Sequence, residues 1–366
     1  MRSIAIPRLY SIFHTYVVQR IPDECETRLM NLIWLMLGIF QSRSVQLNLV
    51  ARKVPVRAKK LSLVKRFGRF LDNAAVRVRA WYDPFAIPLL RAAASTGQVR
   101  LIMDASKVSH GYRLLMVSLA YARRSLPIAW TWVHASRGHS PTRMQVALLE
   151  YVYRLLPSGI QVSLVGDCEF DSPLLIENVC HWGWTYALRQ PGNHLLQGRG
   201  SEGWRRIDSL PLQRGTSLWQ GYVLLTRSSP FPTHLVAHWQ RGQADPWFLA
   251  TNLLCPQAAV RLYRRRMWIE EMFGDLKKHG FDLEMSHLRN ALRLSRLTLV
   301  VCVLYLWLVA LGEHVLSNDL ANQIDRSDRR DLSVFRLGWD FLEHCLRLDD
   351  PIPHLSIPNL CSLSGG

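Results

Sequence analysis

VRLIMDAS (residues 99–106) and QVSLVGD (residues 161–167) decide how this 366-residue chain is read. Each reads as a strand that ends at a carboxylate, Asp104 in the first and Asp167 in the second. Working outward, GYRLLMVSLAYARRSLPIAWTWV (111–133) reads as two further strands joined at ARRSLP, with Pro127 punctuating the turn. SPTRMQVALLEYVYRLLP (140–157) predicts a helix with Ser140 as N-cap and Pro141 at the first helical position. SPLLIENVCHWG (172–183) predicts a second helix that starts near Pro173 and stops at Gly183, and WTYALR (184–189) is a fifth strand.

The order is three strands, a helix, a strand, a helix and a strand. The first three suit an antiparallel meander, and the last two follow helical crossovers. This order resembles an α/β ribonuclease-H-like sheet, in which the first and fourth strands are parallel neighbours. Asp104 and Asp167 would then meet at one edge of the sheet. Open α/β sheets carry their sites beyond the carboxyl ends of strands.

The flanks complete an expected layout. Residues 1–95 read mainly as helices, among them CETRLMNLIWLMLGIF (25–40). Residues 44–73 hold two helical patterns broken at Pro55, with Leu61, Val64, Phe67, Phe70 and Leu71 at helical spacing and Lys and Arg between them. That stretch fits a helix-turn-helix-like DNA reader, and equally a packing helix with a charged outer face. Residues 96–190 are the first part of the catalytic core. Residues 191–257 are a β-rich insertion, with GYVLLTR, HLVAHW and PWFLATNL as strands. Residues 258–312 return to the core, with a long helix from Ala258 to His279 and an apolar helix over 291–312. The tail, 313–366, starts polar, ends in loops, and is a candidate dimerisation segment.

Composition narrows the function. Apolar residues make up 49% of the chain, which excludes a disordered chain. The net charge of +17 and a pI near 10.0 call for a polyanionic partner. Residues 1–100 hold 17 Lys and Arg against 5 Asp and Glu, so most of the surplus lies there. The seven cysteines form no CxxC pair, which argues against zinc and fits reduced thiols. With no signal-peptide pattern at the N-terminus, a cytoplasmic, nucleoid-associated location is expected. LTLVVCVLYLWLVALG (297–312) falls just short of a membrane span and is expected to be a buried core helix, with no membrane partner.

The chemistry concentrates in YRRRMWIEEMFGDLKK (263–278), with Tyr263, Arg266, Glu270 and Lys277. On a continuous helix, at about 100° per residue, these four fall within roughly 60° of one another. At about 1.5 Å per residue they span about 21 Å, which suits a nucleic acid backbone better than a compact small-molecule pocket. Glu271 would sit about 100° around the same helix from Glu270.

Tyr-x2-Arg-x3-Glu-x6-Lys resembles the signature of the fourth insertion-sequence family of bacterial transposases, and all four positions match. The resemblance covers roughly residues 96–312. It implies a DDE transposase whose metal ligands and catalytic residues are Asp104, Asp167 and Glu270. Three carboxylates would hold two Mg²⁺ ions, with Mn²⁺ as a substitute. Arg266 and Lys277 would grip phosphates, and Tyr263 would touch or underlie one. WFLATN, beginning at Trp247, resembles the family's last insertion strand, where a tryptophan stacks on a base flipped out as a DNA hairpin forms. Trp219 and Trp239 are further candidates. The implied partners are transposon-end and target DNA, with two protomers pairing two ends.

The match has departures. Cys168 stands in GDCEFDS where a basic residue is common in the family. Glu169 and Asp171 are read as supporting or capping groups. His110, His134 and His139 lack metal-ligand spacing, and Lys107 and His110 are placed to touch DNA. The alternatives are a ribonuclease-H-like nuclease without strand transfer, and a DNA-binding protein derived from an inactive transposase.

Overall fold

The computed structural model describes residues 2–109, 111–134, 138–201, 203–326, 328–358 and 360. The helical opening comprises α1 (Arg2–Val18), α2 (Glu26–Ser42), α3 (Leu47–Lys53), α4 (Lys60–Asp72) and α5 (Val78–Ser95). Pro55 falls between α3 and α4, as expected of a residue that cannot donate to a helical ladder. In α4, Leu63, Phe67, Phe70 and Leu71 are buried, while Leu61 is 69% exposed and does not join the apolar stripe.

A meander follows: β1 (Gln98–Ser109), β2 (Tyr112–Tyr121) and β3 (Arg124–His134). The β2–β3 turn is tighter than the sequence predicts. It is the two residues Ala122 and Arg123, with φ of +46° and +60°. Left-handed residues at both positions match the right-handed twist of a hairpin. Pro127 lies inside β3, next to the bulge between Val117 and Ser118 of β2, where a missing N–H is tolerated. Its carbonyl accepts a 2.8 Å hydrogen bond from the Tyr82 hydroxyl.

Next come α6 (Thr142–Leu155), β4 (Gln161–Gly166), α7 (Pro173–His181) and β5 (Thr185–Arg189). Pro141, not Ser140, caps α6. The β-rich segment contributes β6 (Leu195–Gly198), β7 (Arg205–Arg206), β8 (Ser217–Leu225), β9 (Phe231–His238) and β10 (Trp247–Thr251). It extends the same sheet. The strand order is β3-β2-β1-β4-β5-β10-β9-β8-β6-β7, with β10 joining β5 antiparallel. β1, β4 and β5 run parallel to one another.

The chain ends with α8 (Pro256–Tyr263), α9 (Met267–Leu276), α10 (Ala291–Ser317) and α11 (Val334–Leu348). α10 has 27 residues and a mean hydropathy of 2.2 in its most apolar window, 94% of which is buried in protein. It packs against β3, α2, α4, α5 and α11. This enclosure accounts for its continuous apolar character. Trp132 on β3 donates to Thr298 at 3.0 Å, and buried Arg296 donates to the Leu71 and Val76 carbonyls at the end of α4. The N-terminal helices are therefore seated on the sheet-bearing body. α11 departs from the expectation of a loop-rich tail. Its apolar face, including Phe335, Trp339 and Leu342, is buried, and Tyr305 of α10 stacks on Phe335 at 5.2 Å. The six described cysteines are all free.

Candidate active site

β1 and β4 pair in parallel up to Met103 and Gly166. Asp104 and Asp167 are the next residue of each strand path, so the two carboxylates start from adjacent positions. Asp104 does not end its strand, however. β1 continues to Ser109 because β2 keeps pairing with it, from Asp104 opposite Met116 to Lys107 opposite Arg113. Gly166 is demanded by the turn after β4. A Cβ there would lie 2.8 Å from the Phe170 ring, where the chain folds back over the strand end. Asp167 then starts a short 3₁₀ turn, and its Oδ1 accepts the Glu169 N–H at 2.9 Å. Asp104 Oδ1 likewise accepts the Ala105 N–H at 2.7 Å. Each aspartate is thus fixed by one oxygen and free to present the other.

The expected single helix over 258–279 is broken. Arg264–Arg266 form a 3₁₀ turn between α8 and α9. At three residues per turn, successive side chains leave about 120° apart, so three adjacent arginines point three ways. Arg264 lies near His238, whose pKa is held down by burial first and by that guanidinium second. Arg265 turns toward Arg100 and Arg261. Arg266 reaches the two aspartates, with Nη2 3.1 Å from Asp104 Oδ2 and 3.4 Å from Asp167 Oδ2. Its Nη1 pairs with Glu270 one turn along. Three carboxylates from β1, the end of β4 and α9 therefore converge on one guanidinium.

The electrostatics follow. Burial pushes Asp104 up to about 7, with Arg266 opposing and Asp167 and Glu270 reinforcing the rise. One arginine is too little positive charge for three carboxylates. The donor set is oxygen only, which is what hard divalent cations take. The cluster opens onto a pocket of about 350 Å³ that Ser106, Phe273 and Lys277 also line. The chemistry of these donors therefore suits divalent ions. Among the described residues, no three His, Cys, Asp or Glu side chains are gathered tightly enough to share a metal, because Arg266 stands between these three.

Glu271 faces elsewhere. It pairs with Arg124 at 3.0 Å and is 55% exposed. Lys277 lies just past α9 and ties it to the sheet. Its Nζ donates to the Lys107 carbonyl at 2.6 Å and lies 3.0 Å from Glu284. Tyr263 is buried, and burial raises its phenol pKa. Its ring meets Trp247 edge-to-face at 5.0 Å, and Trp247 also lies 5.6 Å from His238. Trp219 stacks on His234 at 5.2 Å, and the Trp239 indole donates to the Gln243 carbonyl. Burial pushes the Cys168 thiol up to about 11. His134 packs edge-to-face on Tyr112, His139 is exposed, and His110 lies outside the described residues.

Glu169 is the supporting group the sequence suggests, and its partners Arg113 and Ser140 escape sequence reading. Glu169 is buried and accepts from the Ser140 N–H at 2.7 Å, the Ser140 hydroxyl at 2.6 Å, and Arg113. Arg113 also donates to the Gly138 and Ala105 carbonyls. Ser140 is thus a partner of Glu169 and not a helix cap. Asp171 lies 3.4 Å from His194, on the same rim as Asp167. The one signal for Arg113 was a lone cation opening an apolar strand.

Comparison with known proteins completes the description. A solved piggyBac transposase synaptic complex with hairpin DNA is similar at 11% identity and a TM-score of 0.43, covering 96% of this chain and 84% of that one. No curated protein matches. The family model described as transposase DDE domain matches residues 91–307. That stretch contains Asp104, Asp167 and the whole arginine-bearing turn with Glu270, and with more than half of its length matched the chain belongs to the transposase DDE domain family.

Proposed function

We propose that this chain is a cut-and-paste DNA transposase, with Asp104, Asp167 and Glu270 as its catalytic carboxylates in a ribonuclease-H-like core. The observation that carries this is the convergence of the three carboxylates, from three separate elements, on the single guanidinium of Arg266. The meander followed by parallel β4 and β5 supports the core assignment. Two divalent ions held by these carboxylates, Mg²⁺ or Mn²⁺, would supply Lewis-acid stabilisation of charge on the attacking and leaving oxygens. Arg266 holds the aspartates and Glu270 in register and offers its fork to a phosphate oxygen. Lys277 fixes the far end of α9 and adds positive charge to the pocket. Water cuts one strand at the transposon end, and the freed 3′ hydroxyl attacks the opposite strand to leave a hairpin. Trp247, braced on Tyr263, presents its indole to the flipped base. A second hydrolysis opens the hairpin, and the 3′ ends join target DNA, with two protomers pairing two ends. Arg52, Lys53, Arg57, Lys59, Lys65 and Arg69 are exposed on and between α3 and α4, and they suit the N-terminal helices to end binding.

The test is purified protein with end DNA and Mg²⁺. Asp104→Asn, Asp167→Asn and Glu270→Gln should each abolish cleavage and leave end binding intact. Cleavage that survives any one of them overturns the triad. A pre-cut end that is never joined to target DNA would favour a nuclease without strand transfer. Stalled reactions without a hairpin species would remove the hairpin step.

A further inference from the structure

The arginine turn sends one guanidinium where the catalytic chemistry has no use for it. Arg265 is half-buried, lies 5.8 Å over the Trp268 ring, and is anchored by a 3.0 Å hydrogen bond to the Arg261 carbonyl. The 264–266 turn that bears it packs against β1, which carries Arg100, and Arg100 and Arg261 are the charges that act on it. None of the three pairs with a carboxylate among the described residues, whereas Arg113, Arg124 and Arg266 each do. Three like charges brought together, one of them partly desolvated, repel unless an anion lies between them.

Their placement says which anion. Arg100 and Asp104 lie on the same face of β1, four residues apart, which is about 13 Å at ~3.3 Å per residue. α9 runs along β1 from the Arg100 end, beside Arg265, to the Lys107 end, where Lys277 is bonded. The arginine group thus continues the line of the carboxylates on the side away from Lys277. It is built for successive phosphates of one backbone, where a compact dianion would need only one fork.

We propose that Arg100, Arg261 and Arg265 form a second phosphate-binding ledge, which grips the backbone of the DNA running through the active site on the side of the scissile bond away from Lys277. The ledge rests on the functional reading above. It carries no chemistry itself and sets the angle at which the duplex enters the site.

The probe is a short duplex of arbitrary sequence, with binding followed by fluorescence anisotropy between about 50 and 200 mM salt. Each phosphate contact contributes about 0.9 to the slope of log affinity against log salt. Arg100→Gln, Arg261→Gln and Arg265→Gln should each lower the slope by about one, and the triple variant by about 2–3, with a ten- to hundredfold loss of affinity. Arg265→Lys keeps the charge and should keep the slope. Arg154→Gln, which removes an exposed arginine paired with Glu150, should change nothing. If the single variants fold, bind and keep the wild-type slope, the ledge is wrong while the transposase reading stands. If wild-type protein binds no duplex, both fail.

Discussion

Gly312→Ala should loosen the join between α10 and α11 by an amount the geometry sets. A Cβ at Gly312 would lie 1.8 Å from the Val334 carbonyl oxygen, where ordinary contact begins at 3.4 Å. The reciprocal position is as tight, since a Cβ at Gly338 would lie 1.9 Å from the Leu308 carbonyl. Both obstacles are backbone, which cannot rotate away, so the helices must part by about 1.6 Å, the shortfall at Gly312. A gap of about 0.5–1 Å already forfeits a quarter to a half of a dispersion well. The seam holds Phe335, Trp339, Leu342 and Cys345, all buried. We expect a loss of about 3 kcal/mol or more, at the upper end of overpacking effects. At about 2 °C per kcal/mol this lowers Tm by roughly 6 °C. Gly68→Ala is the matched control, because a Cβ there meets only the Arg293 side chain, at 3.4 Å. Alanine at that helical position should add about 0.5–1 kcal/mol. Calorimetry on both variants decides the matter. If Gly312→Ala is as stable as Gly68→Ala, the close packing inferred at this crossing is refuted.

Three further outcomes are expected. Glu169→Ala leaves the largely enclosed Arg113 without its carboxylate and should cost about 2–4 kcal/mol in urea unfolding, with faster amide exchange around Ser140; a loss under about 1 kcal/mol would make the network ornamental. Glu271→Gln, which disturbs only an exposed pair with Arg124, should keep end cleavage within about tenfold, whereas Glu270→Gln should lose at least a hundredfold, because a ligand matters more than the partners that orient it; equal losses would reopen the choice of third carboxylate. Burial pushes Asp275 up to about 7 despite Arg124, from an ordinary value of 3.8. The folded state thus holds this proton more tightly than the unfolded chain. Its contribution to stability is full below pH 4 and is lost as pH rises through about 7, at up to about 1.4 kcal/mol per pH unit. Asp275→Asn should remove that decline, and parallel stability-pH curves for wild type and variant would contradict it.

The sequence revealed the parts of this molecule that depend on near neighbours. Short apolar runs located β1, β4 and β5, apolar-rich stretches located α2 and α10, and helical spacing located α4. The GD pair at 166–167 marked a strand end where a side chain at the glycine would strike Phe170. What stayed hidden depends on distant pairing. Asp104 looked like a strand terminus because the apolar run stops there, yet β1 runs five residues further, held by its pairing with β2. α11 was missed because its amphipathic stripe follows a polar stretch and only becomes intelligible once Gly312 and Gly338 bring two backbones together. The arginine turn shows the limit most sharply. A regular helix through Tyr263, Arg266, Glu270 and Lys277 puts all four on one face, and that face appeared to explain their spacing. In the fold the helix tightens at 264–266, and Lys277 lies past its end. Arg266 and Glu270 keep the one-turn relation that puts both at the aspartates. Tyr263 turns to Trp247, and Lys277 bonds back to β1. The spacing therefore records four separate jobs along one path over the sheet, and the local tightening lets the two neighbours of Arg266 leave the pocket in other directions.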